Sequence, residues 1–207
     1  MSRFRILSLI SISLLVVASC TTPVNYNPSY QGRINPIPGP QLDGRAVVFT
    51  SVTNDNYVYE GNPTSFTGGG SSIQIPLGLI TKQIATNVFE RMFENGVIQT
   101  SDLDSVQNYT VAITPTLSTF TYAYNQLQNA GMLVTPQVNV SIAVDLRKSD
   151  GSALRSMEYS SGIRDGDSYF MATNPAERIN QLAHEVITEL LNQAASDVYY
   201  LISNENS

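Results

Sequence analysis

Val134-Thr-Pro-Gln-Val-Asn-Val-Ser-Ile-Ala-Val-Asp-Leu-Arg147 decides the fold. Val138, Val140, Ile142, Val144 and Leu146 fall on one side of an extended chain, and Gln137, Asn139, Ser141, Asp145 and Arg147 on the other. Successive side chains of a strand point to opposite faces, so this alternation describes a strand with one dry side and one wet side. Lys148-Ser149-Asp150-Gly151 follows, and Asp-Gly readily takes the positive φ of a tight hairpin. A return strand is therefore expected over about Ala153–Ile163, with Met157 and Tyr159 on one face. Upstream, Asn108–Tyr124 alternates as well, through Tyr109, Val111 and Ile113. Past Pro115 the apolar set changes parity to Phe120, Tyr122 and Tyr124. A two-residue period changes face only through a bulge or kink, which places one between Pro115 and Thr119. Arg45–Val52, centred on Ala46-Val47-Val48-Phe49, is the first strand.

Two helices complete the pattern. From about Pro76 to Asn95, Leu77, Ile80, Ile84, Val88 and Met92 recur at three- and four-residue steps, with Ala85 and Phe89 widening the stripe. Pro76 suits a first turn and Gly96 the left-handed position after a helix. The second helix opens on Asn174 as N-cap, with Pro175 at the first position and Glu177 at the third, as in a capping box. Ile179, Leu182, Val186, Leu190, Ala194, Val198 and Leu201 run down it, and it ends near Ser203. The order β-α-β-β-β-α predicts an α+β domain over residues 43–203. It has two layers, a mostly antiparallel four-stranded sheet with both helices on one face. Residues 204–207 form a frayed tail. The polar stretch Thr53–Ser72 reads as a flexible loop, because no GK[ST] ending follows Gly68-Gly69-Gly70.

The first 42 residues have another character. Arg3 and Arg5 precede an apolar run from Ile6 to Val17, which is shorter than the roughly 20 residues that span a bilayer core. Residues 1–19 thus read as a cleaved signal peptide. Residues 20–42 hold Pro23, Pro28, Pro36, Pro38 and Pro40 and read as a tether. Fully extended, some 20 residues at roughly 3.1 Å each reach about 60 Å. Tyr26, Tyr30, Ile34 and Ile37 leave docking on the domain as an even alternative.

The junction Val17-Ala18-Ser19-Cys20 resembles the lipobox of bacterial lipoproteins. The resemblance implies recognition of Val17, Ala18 and Ser19 by the lipoprotein signal peptidase, and acyl chains on Cys20. Thr21 in place of Asp implies the outer membrane rather than retention at the inner one. Cys20 is the only cysteine, so acylation leaves no thiol for a disulfide, a metal or a nucleophile. Together with the strand–helix–strands–helix layout, the lipobox makes the chain similar to small outer-membrane lipoproteins, especially the YajG-like group. That resemblance implies non-enzymatic binding or assembly work at the periplasmic face with an envelope protein partner. A lipid or apolar-ligand carrier is the alternative. Only Cys20 carries over as a functional residue.

Charge and composition narrow the chemistry. With Arg3 and Arg5 removed, nine basic residues meet 17 acidic ones, a net charge near −8. Such a chain is a poor nucleic-acid binder and gains nothing from an anionic lipid surface, so lipid does the anchoring. His184 is the only histidine, lies on the flank of the second helix's stripe, and reads as a surface or boundary residue. Asp165 and Asp167 lack the closing Glu of a calcium loop and read as a polar turn. No catalytic group, metal or cofactor is expected. Tyr122, Tyr124, Met132 and Leu133 are the candidate partner-binding residues, with Tyr57, Tyr59 and Phe66 beside them. The competing reading, slightly favoured, is that the tyrosines cover the sheet after its kink.

Overall fold

A computed structural model describes residues 20–65, 71–125, 133–170 and 174–205. Its strands are β1 (Cys20–Pro23), β2 (Ala46–Phe49), β3 (Tyr59–Gly61), β4 (Ser71–Ile75), β5 (Val97–Thr100), β6 (Val111–Asn125), β7 (Leu133–Lys148), β8 (Ala153–Asp165) and β9 (Tyr169–Phe170). Its α-helices are α1 (Val52–Asp55), α2 (Leu77–Glu90) and α3 (Pro175–Glu205).

The expected single four-stranded, mostly antiparallel sheet is wrong. The fold is mixed α/β with two sheets: a six-stranded one in the order β5-β2-β6-β7-β8 with β9 on β7, and a three-stranded one in the order β1-β4-β3. β2 runs parallel to both β5 and β6, whereas β6, β7 and β8 are antiparallel. The cause lies at Gly96, whose φ of 67° turns the chain after α2 straight into β5. β2, α2 and β5 thereby form a parallel crossover unit. A four-residue strand shows too little alternation to be read from sequence. Nor is Thr53–Ser72 simply a loop, since it supplies α1, β3 and the start of β4.

The alternation of β7 is realised as a dry face. Val138, Val140, Ile142, Val144 and Leu146 are buried, with α3 lying across β7 and β8. α2 covers β2, β5 and β6 and packs against α3. The register of β6 on β7 shifts between Leu117 and Thr119, inside the stretch where parity changes. Beyond that bulge Phe120, Tyr122 and Tyr124 pair with Val140, Val138 and Pro136, and so return to the helix-side face. The small sheet covers that far half, with Tyr59 edge-on to Phe120 at 4.7 Å between ring centroids. Each fully buried Ile, Leu or Phe here contributes about 1.5–3 kcal/mol. At the head of α3 the side-chain oxygen of Asn174 accepts from the N–H of Glu177 at 3.4 Å, as the capping pattern requires.

The first turn of α2 passes very close to α1. The N–H of Gly78 donates to the carbonyl of Tyr57 at 2.9 Å. A Cβ at position 78 would sit 1.9 Å from the carbonyl oxygen of Asn54 and 2.8 Å from that of Asp55. Only glycine fits there. The approach is locked by an ion pair between Lys82 and Asp55 at 2.6 Å.

Candidate functional site

Asn180, His184, Thr188 and Asn192 stand at four-residue steps on α3, one above another on a single flank. All four are buried, and what buries them is the proline-rich segment from Val24 to Leu42. Asn180 Nδ2 donates to the carbonyl of Asn25 at 2.9 Å. The N–H of Asn27 makes a long contact to His184 Nε2 at 3.5 Å. The N–H of Gly32 donates to Thr188 Oγ1 at 3.1 Å. Asn192 accepts from the N–H of Asn35 at 3.0 Å and donates to the carbonyl of Arg33 at 2.9 Å. Farther along, the Tyr199 hydroxyl donates to the carbonyl of Pro40 at 3.1 Å. From the side of α2, Asn87 Nδ2 donates to Gln31 Oε1 at 2.8 Å, and the N–H of Leu42 donates to the carbonyl of Met92 at 2.7 Å. A proline-rich segment cannot satisfy its carbonyls in a ladder of its own, and this polar rail satisfies them instead. The segment is a strap held between the two helices.

His184 is fully buried, not a boundary residue. Its ring stacks on Tyr26 at 5.6 Å and meets the edge of Tyr30 at 5.8 Å. Nδ1 lies 2.8 Å from the carbonyl of Asn180, which can only accept, so Nδ1 carries the proton. Nε2 then offers its lone pair to the Asn27 N–H, which fixes the neutral tautomer. Burial pulls the pKa below the ordinary histidine value, and the Asn180 carbonyl and Glu177 charge counter it only in part. Below about pH 6.5 the unfolded chain therefore binds a proton that the folded one resists. Stability is expected to be full above that pH and to fall as pH drops through it. A thermal midpoint that declines between pH 7.5 and 5, with a weaker decline in His184→Gln, is the expected result. Identical midpoints at the two values would refute it.

The strap leads back to Cys20. Cys20, Thr21, Thr22 and Pro23 pair in parallel register with Ser71, Ser72, Ile73 and Gln74. The hydroxyls of Thr21 and Ser72 are 2.6 Å apart, and the N–H of Val24 donates to the carbonyl of Gln74 at 2.9 Å. The chain leaving β3 is tied to the end of β6. The Thr64 N–H donates to the Tyr122 carbonyl at 2.8 Å, the Tyr122 hydroxyl to the Gly61 carbonyl at 2.9 Å, and the Tyr124 N–H to Ser65 Oγ at 2.9 Å. β9 pairs with the first residues of β7, and the Arg178 guanidinium of α3 stacks on Tyr169 at 5.8 Å. One end of the molecule thus gathers Cys20, the end of β6, the start of β7, β9 and the head of α3. Burial pushes the Tyr169 hydroxyl up to about 12.

The expected binding residues fare unevenly. Tyr122 and Tyr124 are buried beneath the 59–65 segment, and burial raises both hydroxyls well above the usual tyrosine range. They cover the kinked sheet. Leu133 is half-buried and pairs with Phe170, which is 66% exposed. Phe170 escaped the sequence reading; the only signal was the short apolar run Tyr169-Phe170-Met171-Ala172 between Ser168 and Thr173. Val17, Ala18, Ser19, Phe66 and Met132 lie outside the described residues.

Both nitrogens of His184 are engaged, and Asp165 Oδ1 accepts from Gln137 Nε2 at 2.7 Å at the end of β8. Among the described residues no group of three or more His, Cys, Asp or Glu is placed to hold a metal ion. No described helix is long and apolar enough to cross a membrane. A cavity of about 100 Å³ lies at the head of α2, lined by Thr50, Asn54, Tyr57, Thr81 and Thr116. An open groove of about 570 Å³ runs between β8 and α3, with Arg155, Tyr159, Asp197 and Tyr200 on its walls. The Tyr159 hydroxyl donates to Asp197 at 2.8 Å across it.

No protein-family model matches the chain, and no curated protein does. Solved structures give faint likenesses. A structure described as a neuraminyllactose-binding hemagglutinin homolog from Helicobacter pylori is 11% identical, with a TM-score of 0.45, over 85% of this chain and 97% of that one. The PelC dodecamer from Paraburkholderia phytofirmans is 16% identical, with a TM-score of 0.38, over 76% and 89%. A minor lipoprotein from Acinetobacter baumannii is 12% identical, with a TM-score of 0.30, over 81% and 96%. Likeness this slight carries neither fold nor activity over to this chain.

Proposed function

We propose that the chain is a lipoprotein of the outer membrane, anchored by acyl chains on Cys20 and facing the periplasm. There it serves as a non-enzymatic binding or assembly accessory of an envelope complex. The observation that carries this reading is the place of Cys20. The residue that ends the lipobox is also the first residue of β1, in register with Ser71. Lipid on it would be fastened to the folded domain, which suits a part that must be held in one orientation at a membrane. Two acyl chains or more make such anchoring stable, and confinement raises the effective concentration of a partner in the same membrane. The carrier alternative has less support, because the 570 Å³ groove is open and charged at Arg155, Glu158 and Asp197.

The test is mass spectrometry of the mature protein together with membrane fractionation. The expected result is a chain beginning at an acylated Cys20 and pelleting with membranes, and Cys20→Ala recovered in the soluble fraction. A bare thiol, or a leader still joined to the domain, would overturn the reading.

A further inference from the structure

We infer that the end of the domain formed by β1, β9 and the start of β7 rests directly on the phospholipid bilayer, with the Phe170 ring at the lipid interface. This rests on the proposed acylation of Cys20 and adds the surface that the anchor imposes. Twenty free residues would leave the domain about 60 Å of reach. The strap removes that slack. Residues 25–40 are held on α3, and Thr21–Pro23 are paired residue by residue with β4. Even with those three pairs broken, the chain would add only about 10 Å. Acyl chains on Cys20 therefore bring the Ser71 end of the small sheet down to the membrane.

What lies at that end fits a bilayer. Phe170 is among the most exposed large apolar side chains described, and Leu133 lies beside it across the β7–β9 pair. Aromatic rings settle at the boundary between headgroups and hydrocarbon. Asp165, Asp167 and Glu177 lie close by in the chain and keep the insertion shallow. The net negative charge gives no pull toward anionic lipid, so the contact is apolar. It forms equally well on zwitterionic phosphatidylcholine.

The chain contains no tryptophan, so a single introduced one reports alone. Phe170→Trp and Tyr200→Trp are compared as acylated full-length proteins in phosphatidylcholine vesicles whose acyl chains carry bromine. Tyr200 is exposed and sits 25 residues farther along α3, about 38 Å from position 170's end. The expected result is a blue-shifted emission at position 170 that bromine quenches at least twofold, and no quenching at position 200. Equal quenching at the two positions, or none at position 170, in protein whose acylation is verified by mass would overturn this inference and leave the proposed function standing. Absence of the acyl chains would remove both.

Discussion

Gly78→Ala lowers the free energy of unfolding by about 3 kcal/mol, the upper part of the range for overpacking. The added methyl meets backbone rather than a movable side chain, since the Asn54 carbonyl oxygen would be 1.9 Å from it and the Tyr57 nitrogen 2.9 Å. Relief requires α1 to swing away, which strains the hydrogen bond from Gly78 to Tyr57 and the Lys82–Asp55 ion pair together. Urea unfolding should show a lower midpoint at an unchanged slope. A midpoint equal to that of the parent protein would show that α1 is not held against α2 as described.

Ile142→Ala costs about 2–5 kcal/mol, the range for deleting a fully buried isoleucine side chain in a packed core. Ile142 is 0% exposed on the central strand of the antiparallel trio, between Leu117 on β6 and Tyr159 on β8. Ala143→Ser on the opposite face should change stability by no more than about 0.5 kcal/mol. The contrast between neighbours tests the register, because a slip of one residue would exchange their faces. Comparable losses at 142 and 143 in the same urea titration would contradict it.

The two substitutions mark what could and could not be read from sequence. The dry face of β7 was legible because five apolar residues alternate without interruption, and the cap at Asn174 because its chemistry is local. The kink in β6 was legible as a change of parity. Gly78 gave no sign, since its reason is the backbone of Asn54, Asp55 and Tyr57, 21 to 24 residues earlier in the chain, and not its own helix. β1, β3, β4 and β5 are three to five residues long, and their pairing is fixed by partners elsewhere in the chain. Short polar strands of that kind look like loops. Of the candidate site, the sequence reading singled out Cys20 and passed over the row of polar residues on α3 that holds the strap. His184 was misread because a helix was assigned one partner face, the sheet. The four-residue spacing of Asn180, His184, Thr188 and Asn192 was the available signal of a second one. Short polar side chains in a row beside an apolar stripe are suited to receiving an extended backbone.

Synthesis gives that second face a consequence in time. The strap's hydrogen bonds to α3 join residues 155 to 159 positions apart, so the earliest part of the domain is completed by the last. Contacts this distant along the chain close late in folding. Until the final helix has emerged, Asn25 to Pro40 have nothing to lie on, and the cysteine ahead of them stays within reach of any enzyme that must modify it. A nascent chain truncated before residue 175 would keep its beginning loose for good.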